Sequence, residues 1–142
     1  LEYTDINGQK KTPVVIHRVI YGSLERFIGF LIEHYVGAFP VWLSPVQVAI
    51  IPISDKHISY AKGVKDKLIE ARIRPELIDK NETLGKKIRG AEIQKIPYLL
   101  IVGDKEIQAQ LVSVRQRGKG DLGQMKLEEF VEKIREEISK KR

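Results

Sequence analysis

The sequence predicts an α/β fold: a mixed, mostly parallel sheet flanked by helices, preceded by a β-hairpin and a helix. From residue 47 onward, short apolar runs alternate with helical stretches, an order typical of a parallel sheet with right-handed crossovers. Asn7-Gly8 marks a tight hairpin turn near the start. Residues 24–32 carry apolar side chains at helical spacing between these two regions.

The hairpin comes first along the chain. Asn-Gly readily takes the positive φ values that a tight turn requires, so extended stretches are predicted on both sides of it. The second strand is predicted from about Pro13 to Tyr21. It is apolar on both faces except at His17 and Arg18, and we therefore expect a buried strand that carries polar groups.

A helix is predicted after the Gly22-Ser23 break, ending near Gly37. It is apolar nearly all round and contains Gly29, which costs roughly 1 kcal/mol relative to alanine, so tight packing is expected. The apolar stripe consists of Leu24, Phe27, Ile28, Leu31 and Ile32.

The stretch GAFPVWLSP that follows has two prolines and no charge, and it cannot continue regular structure. We place a domain boundary there. The predicted domains are 1–43, holding the hairpin and helix, and 44–142, holding the sheet.

The second domain is predicted from alternating patterns of period 2 and period 3.6. Its strands and helices should leave the carboxyl ends of the parallel strands along one edge, where ligands gather in such sheets. The loops at that edge are 54–56, 79–83 and 103–106. The elements are a strand at 48–53, a helix at about 55–72, a strand near 75–79, a helix at about 83–94, a strand at 98–102, a hairpin turn at 103–105, a strand near 109–115 and a helix from 126 to about 140.

The composition favours some classes of partner and excludes some kinds of site. With 142 residues, 42% hydrophobic and 31% charged, the chain has the make-up of a globular protein. The net charge of +6 lies wholly in residues 47–142, since residues 1–46 hold four acids and four bases, which favours a polyanionic partner for the second domain. The absence of cysteine excludes disulfides and cysteine-built zinc sites within this sequence.

Other classes of site and location are also disfavoured. The apolar runs are too short to span a bilayer and no signal sequence opens the chain, so a cytoplasmic protein without membrane partners is predicted. The motifs GxGxxG, the P-loop, HExxH and GxSxG do not occur.

Two groups of motifs carry a family resemblance. HRVIYGSLERFIGFLIEHY (17–35), followed by GAFPVWLSPVQV, resembles the end of the catalytic domain of threonyl-tRNA synthetases, which are class II aminoacyl-tRNA synthetases. DKNETLGKKIR (79–89), VGDKE (102–106) and VRQRGKGDLG (114–123) resemble the anticodon-binding domain of the same family. The resemblance covers essentially the whole chain and implies a carboxy-terminal piece of such an enzyme.

The first motif resembles class II motif 3, and the resemblance implies active-site roles for its residues. Arg26 would contact ATP, since a planar guanidinium can grip phosphate and stack on a ring. Ser23 is predicted as a further catalytic-site residue. His17 would be one ligand of the zinc that selects threonine, with the other ligands upstream of this chain. From the residues alone, His17 could instead be a buried hydrogen-bonded histidine and Arg26 an ion-pair partner of Glu25 or Glu33.

In the second domain, the resemblance implies that Asn81, Glu106 and Arg115 read anticodon bases. Amide, carboxylate and guanidinium groups hydrogen-bond to base edges. Arg89 and Arg117, with Lys119, are predicted to position phosphates. Alternatively, Asn81 caps the helix beginning near Thr83, Glu106 has no role on a hairpin, and Arg115 pairs with an acid.

The parent enzyme implied by the resemblance activates threonine with ATP, transfers it to tRNA(Thr), binds zinc and forms a homodimer. This chain alone is expected to supply anticodon recognition, to bind neither ATP nor zinc tightly and to catalyse no aminoacylation, because motifs 1 and 2 are missing. The rival interpretations are a stand-alone tRNA-binding or polymerase-accessory protein, and a histidine, proline or glycine class II synthetase.

Overall fold

A computed structural model describes residues 1–141, so Arg142, the last residue of the predicted second domain, lies outside the described residues. The chain forms two compact units, residues 1–31 and residues from 32 onward. The elements of the first part are β1 (Tyr3–Thr4), β2 (Lys10–Lys11) and α1 (Leu24–His34). Those that follow are β3 (Val48–Pro52), α2 (Ile58–Glu70), β4 (Pro75–Leu77), α3 (Leu84–Ile93), β5 (Tyr98–Val102), α4 (Asp104–Ala109), β6 (Leu111–Gln116), β7 (Gly120–Lys126) and α5 (Leu127–Ser139).

The predicted hairpin turn is confirmed. Tyr3 pairs with Lys11 and Thr4 with Lys10, and Gly8 has a φ of 75°. Asp5 organises the turn, since its Oδ1 accepts hydrogen bonds from the backbone N–H groups of Asn7 and Gln9.

The strand predicted at 13–21 is wrong. No regular element forms there, and its apolar side chains are exposed. A strand must pair its backbone groups, and the two strands described in this unit pair with each other over only two residues. The tight packing expected of α1 is also wrong, since none of its residues is buried.

The mixed, mostly parallel sheet is confirmed in the second unit. Its strand order is β4-β3-β5-β6-β7, with β3 parallel to both β4 and β5, and with β6 and β7 antiparallel. The alternation along β3 divides the core. Val48 and Ile50 pack with residues of α2 and α5, whereas Ala49 and Ile51 pack with Ala91 of α3.

The region after β5 differs from the prediction. Residues 103–105 were expected to form a hairpin turn, but Gly103 instead precedes the short helix α4. Gln110 then takes the left-handed conformation, with φ 54°, and turns the chain into β6. Strand β7 was not predicted, because GDLGQMK contains two glycines and few β-branched or aromatic residues.

Within residues 1–141, no helix is both long and apolar enough to cross a membrane.

Candidate nucleic-acid interface

The three loops predicted to hold a ligand follow β3, β4 and β5, which are parallel, and therefore lie along one edge of the sheet. We call this the carboxyl edge. Asn81 lies there, exposed, between β4 and α3. The N-cap position of α3 is held by Thr83, whose side chain forms no cap hydrogen bond, so Asn81 does not occupy the capping position considered for it.

Glu106 lies at the same edge, in the first turn of α4, and is only 8% exposed. One carboxylate oxygen accepts the backbone N–H of Gly103 at 3.0 Å, and the other accepts the side-chain amide of Gln124 at 2.6 Å. These two bonds fix its orientation. Each oxygen has a second lone pair, so the carboxylate can still accept a hydrogen bond from a base.

Gly103 lies against the side chains of Ile53 and Glu106. A Cβ on Gly103 would lie 2.6 Å from Cδ1 of Ile53 and 3.1 Å from Oε2 of Glu106. A side chain at this position would push the tip of the exposed Ile53 side chain aside and press on the Glu106 carboxylate by a few tenths of an ångström.

Arg115 lies on β6, opposite Leu99 of β5, and both residues point toward the α3 side of the sheet. Its Nη2 is 4.0 Å from Oε1 of Glu92 on α3, the limit of an ion pair, and its side chain is 35% exposed. A cavity of about 210 Å3 opens here between α3 and β6, lined in part by Glu92, Leu99, Arg115 and Gln116. A guanidinium so loosely paired can exchange its partner for a ligand.

The register relates Glu106 to Arg115. Ser113 is paired with Gln124, the residue that binds Glu106. Ser113 and Arg115 are two residues apart on β6 and so lie on one face, about 7 Å from each other in ordinary strand geometry. Asn81 and Glu106 thus lie along the same edge of the sheet, the carboxyl edge. Glu106 and Arg115 lie toward the same face of the sheet.

Of the three residues predicted to position phosphates, Lys119 is exposed, and the two arginines differ in their surroundings. Arg89 is exposed on α3. The Arg117 guanidinium instead donates to backbone carbonyls, those of Ala38 at 3.2 Å, Phe39 at 2.6 Å and Lys95. Burial lowers the pKa of this guanidinium below its usual value. Its donors already have protein acceptors, whereas a phosphate contact stays a prediction.

Arg117 is one of several side chains that attach residues 36–47 to the domain. Arg74 donates to the carbonyls of Ser44 and Trp42, and Lys95 to that of Val36. Gln47 donates to Val41 O at 2.8 Å and accepts the backbone N–H of Arg74 at 2.9 Å. We call residues 36–47 the connector.

Three further residues at the carboxyl edge, His57, Gln124 and Lys87, were singled out by no motif. His57 is buried and bridges two loops: Nδ1 accepts the Ser54 backbone N–H at 3.2 Å, and Nε2 lies 3.1 Å from Asp104 Oδ1. Gln124, in the unpredicted β7, orients Glu106. Lys87 on α3 is buried although it is charged. Only spatial neighbours distinguish these residues, so no spacing along the chain could identify them.

His17, Ser23 and Arg26, the residues of the first motif that were predicted to act in the active site, lie in the first unit. Ser23 accepts the Arg26 backbone N–H and donates to Glu25 at 2.6 Å, so it acts as the cap of α1. This hydrogen bond lowers the pKa of Glu25. Arg26 is exposed, and within residues 1–141 it forms no ion pair with Glu25 or Glu33.

A zinc site does not fit the residues that this chain supplies. His17 is exposed, so the buried histidine considered as an alternative is wrong. In the described part of the chain, no three His, Cys, Asp or Glu residues are grouped so as to hold a metal ion. One imidazole is too few for a structural or catalytic zinc, which takes three or four protein ligands.

Three comparisons with known proteins bear on this geometry. A protein-family profile described as "Anticodon binding domain" matches residues 47–137. The chain is 58% identical over 142 residues to a threonine-tRNA ligase of Carboxydothermus hydrogenoformans, a match that covers all of the chain and 22% of that relative. The chain thus spans about a fifth of the length of such relatives.

Solved structures give a similar result. The RNA binding domain of threonyl-tRNA synthetase from Cryptosporidium parvum Iowa II aligns with a TM-score of 0.76 and 32% identity, covering 96% of this chain and 34% of that one. A prolyl-tRNA synthetase from Cryptosporidium parvum aligns with a TM-score of 0.70 and 23% identity, covering 99% of this chain and 30% of that one. The second likeness is one of fold.

Proposed function

This chain belongs to the anticodon-binding domain family, and from that membership we propose that it reads the anticodon of tRNA(Thr) as one part of a threonine-tRNA ligase. The observation that carries the proposal is the 58% identity to such a ligase over the whole chain. The aligned region extends beyond residues 47–137, which the anticodon-binding profile matches, and includes the stretch HRVIYGSLERF.

The chemistry of the second unit suits this role. Anticodon bases lie in a single-stranded loop and can be splayed out for contacts along their edges. Glu106 offers a fixed carboxylate acceptor for an amino group, and Arg115 offers paired donors for a guanine edge or a carbonyl. Asn81 would add an amide with both donors and an acceptor at the carboxyl edge. Arg89 would contact the phosphate backbone without distinguishing sequences.

The parent enzyme would activate threonine with ATP and transfer it to the terminal ribose of tRNA(Thr), as a homodimer. In that enzyme, Arg26 would bind ATP and Ser23 would hold the turn that positions Arg26. We propose that the 142-residue chain binds tRNA and does not aminoacylate it. The zinc contact proposed for His17 would need ligands from elsewhere in the parent.

The rival classes are less well supported. Histidyl- and prolyl-tRNA synthetases share the fold, but their solved structures are 24% and 23% identical to this chain, against 32% for the threonyl-tRNA synthetase structure. A stand-alone tRNA-binding protein would have no use for the motif around His17 and Arg26.

The test is binding of this chain to tRNA(Thr) with the natural anticodon and with its second or third base changed. We expect each changed base to weaken binding by about 1–3 kcal/mol, the usual cost of one mismatched contact. Equal affinity for every version would overturn the base-reading roles of Asn81, Glu106 and Arg115. Threonine-dependent pyrophosphate exchange by the chain alone would overturn its proposed inactivity.

A further inference from the structure

Lys87 is a buried charge in the second unit. The residue is 6% exposed, and its Nζ donates to the backbone carbonyl of Pro52 at 3.1 Å. In the part of the chain that the structure describes, no carboxylate lies within 4.0 Å of this ammonium. Lys87 therefore differs from its neighbour Lys86, which is exposed and pairs with Glu82 at 2.9 Å.

The sheet leaves the carbonyl that accepts from Lys87, that of Pro52, without a strand partner. β3 pairs with β4 only from Val48 to Ile50, so Pro52 extends beyond the end of β4 and its carbonyl needs another donor. Lys87 supplies one N–H. An ammonium has three, so two donors remain without a partner in the described structure.

Such an arrangement is a poor way to stabilise a fold. Burying an ammonium costs far more than one neutral hydrogen bond returns, and apolar residues of similar volume often stabilise a core equally well or better. The donors that remain therefore point to a ligand.

The surroundings indicate which kind of acceptor fits. Lys87 lines a cavity of about 110 Å3 at the carboxyl edge, next to the loop that carries Asn81. Its charged lining is balanced, and a phosphate would meet as many carboxylates as ammonium groups. A neutral oxygen would not be repelled. The charged residues of the lining are Glu76, Asp79, Glu82, Lys80, Lys86 and Lys87.

We propose that Lys87 Nζ donates a hydrogen bond to a carbonyl oxygen on the edge of an RNA base, and thereby contributes to base selection. The inference rests on the proposed function, since it assigns a further specificity-determining residue to the same interface. Lysine and base carbonyls form such contacts in nucleic-acid recognition generally.

The experiment compares Lys87→Met with the control Lys62→Met, which removes the same charge from an exposed position on α2, away from the cavity that Lys87 lines. Binding of the full chain to anticodon stem-loop RNA is measured over a range of salt concentrations. The RNAs carry the natural anticodon or a base analogue that lacks one carbonyl, such as 2-aminopurine in place of guanine. We expect Lys87→Met to weaken binding to the natural anticodon about ten-fold, with no change in the slope of affinity against salt concentration. On the one RNA that lacks the contacted carbonyl, the variant and the wild type should bind equally well.

Each other outcome counts against the proposal. Unchanged affinity, or a loss that is the same on all the analogue RNAs, would overturn it. A salt slope reduced by about 0.7, as one lost phosphate contact gives on single strands, would reassign Lys87 to the backbone. If Lys87→Met does not fold, Lys87→Gln keeps a donor for Pro52, and the same loss must then appear with Lys87→Gln. Failure of the wild-type chain to distinguish anticodons would overturn the proposed function itself.

Discussion

The side-chain amide of Gln124 donates to the Glu106 carboxylate at 2.6 Å. Strand β7, which was not predicted, therefore orients Glu106, which was predicted as a site residue. The second oxygen of Glu106 accepts the backbone N–H of Gly103 at the start of α4. Glu106 therefore has a structural role in addition to the base contact proposed for it.

Replacing Glu106 by alanine tests its structural role, when the loss of stability is compared with that caused by removing an exposed carboxylate. The buried N–H of Gly103 would lose its acceptor, so we expect the free energy of unfolding to fall by about 1–3 kcal/mol. Chemical denaturation measures this. Glu129→Ala, which removes an exposed carboxylate from α5, is the control and should change stability by less than about 0.5 kcal/mol. Equal effects of the two substitutions would contradict the structural role.

Arg115→Ala should affect binding more than folding. Its ion pair with Glu92 spans 4.0 Å and is partly exposed, so the folded state gains little from it. We expect an affinity loss of about 1–3 kcal/mol for the natural anticodon and weaker discrimination against a changed base. Arg89→Ala serves as the comparison, because loss of a phosphate contact should weaken all RNAs alike and reduce the salt slope. If both variants behaved identically, Arg115 would not be reading a base.

Arg117→Lys tests whether this residue holds the connector or a phosphate. Lysine keeps the charge but cannot reach three carbonyls in a planar fork. We therefore expect a stability loss of about 1–2 kcal/mol and faster exchange of the hydrogen-bonded amides of Ala38 and Leu43. Lys119→Ala, an exposed change two residues away, should leave exchange unaffected. Unaltered exchange in Arg117→Lys together with weaker RNA binding would favour the phosphate role.

Tyr98 should make the domain less stable in alkali. Its ring is buried and its hydroxyl donates to Glu137 at 2.6 Å, and burial followed by this hydrogen bond raises the pKa of the phenol. A raised folded-state pKa stabilises the protein below the unfolded value, about 10, and this stabilisation is lost as the pH rises through the folded value.

The measurement is the free energy of unfolding from pH 8 to pH 11 for the wild type and for Tyr98→Phe. The wild type should lose stability more steeply above about pH 10, because the variant has no phenol to ionise. The two proteins share every other ionisable side chain, so the difference between the two curves reports on the phenol of Tyr98. Parallel curves would refute the assignment.

Local patterns identified most of the second unit and little of the first. The apolar run at 48–53 predicted a strand, and the structure confirms one at Val48–Pro52, where it is buried along its whole length. The same kind of pattern failed at 13–21, because an apolar strand also needs pairing partners and none is available to it in the described unit. Sequence signals report which residues prefer burial, whereas pairing depends on neighbours that the pattern does not contain.

The candidate site was predictable to a similar extent. Motifs selected Asn81 and Glu106, and β-sheet topology brings both to one edge. The supporting residues escaped notice because their roles come from long-range contacts: Gln124 reaches Glu106 from 18 residues away, and Lys87 reaches Pro52 from 35. Gly103 was predicted as part of a hairpin turn. In the structure, the space left by its missing side chain is bounded by the side chains of Ile53 and Glu106.

The side-chain bonds that hold the connector come from cationic donors, since Arg74, Lys95 and Arg117 all donate to its backbone carbonyls. Carbonyl oxygens do not take up protons in the range where carboxylates do, and guanidinium and ammonium groups keep theirs. This attachment consequently contains no acid-labile link. Hydrogen bonds from Lys86 and Lys140 lower the pKa values of Glu82 and Glu136. Acidification far enough to protonate these two carboxylates and break their ion pairs should leave residues 36–47 held as firmly as at neutral pH.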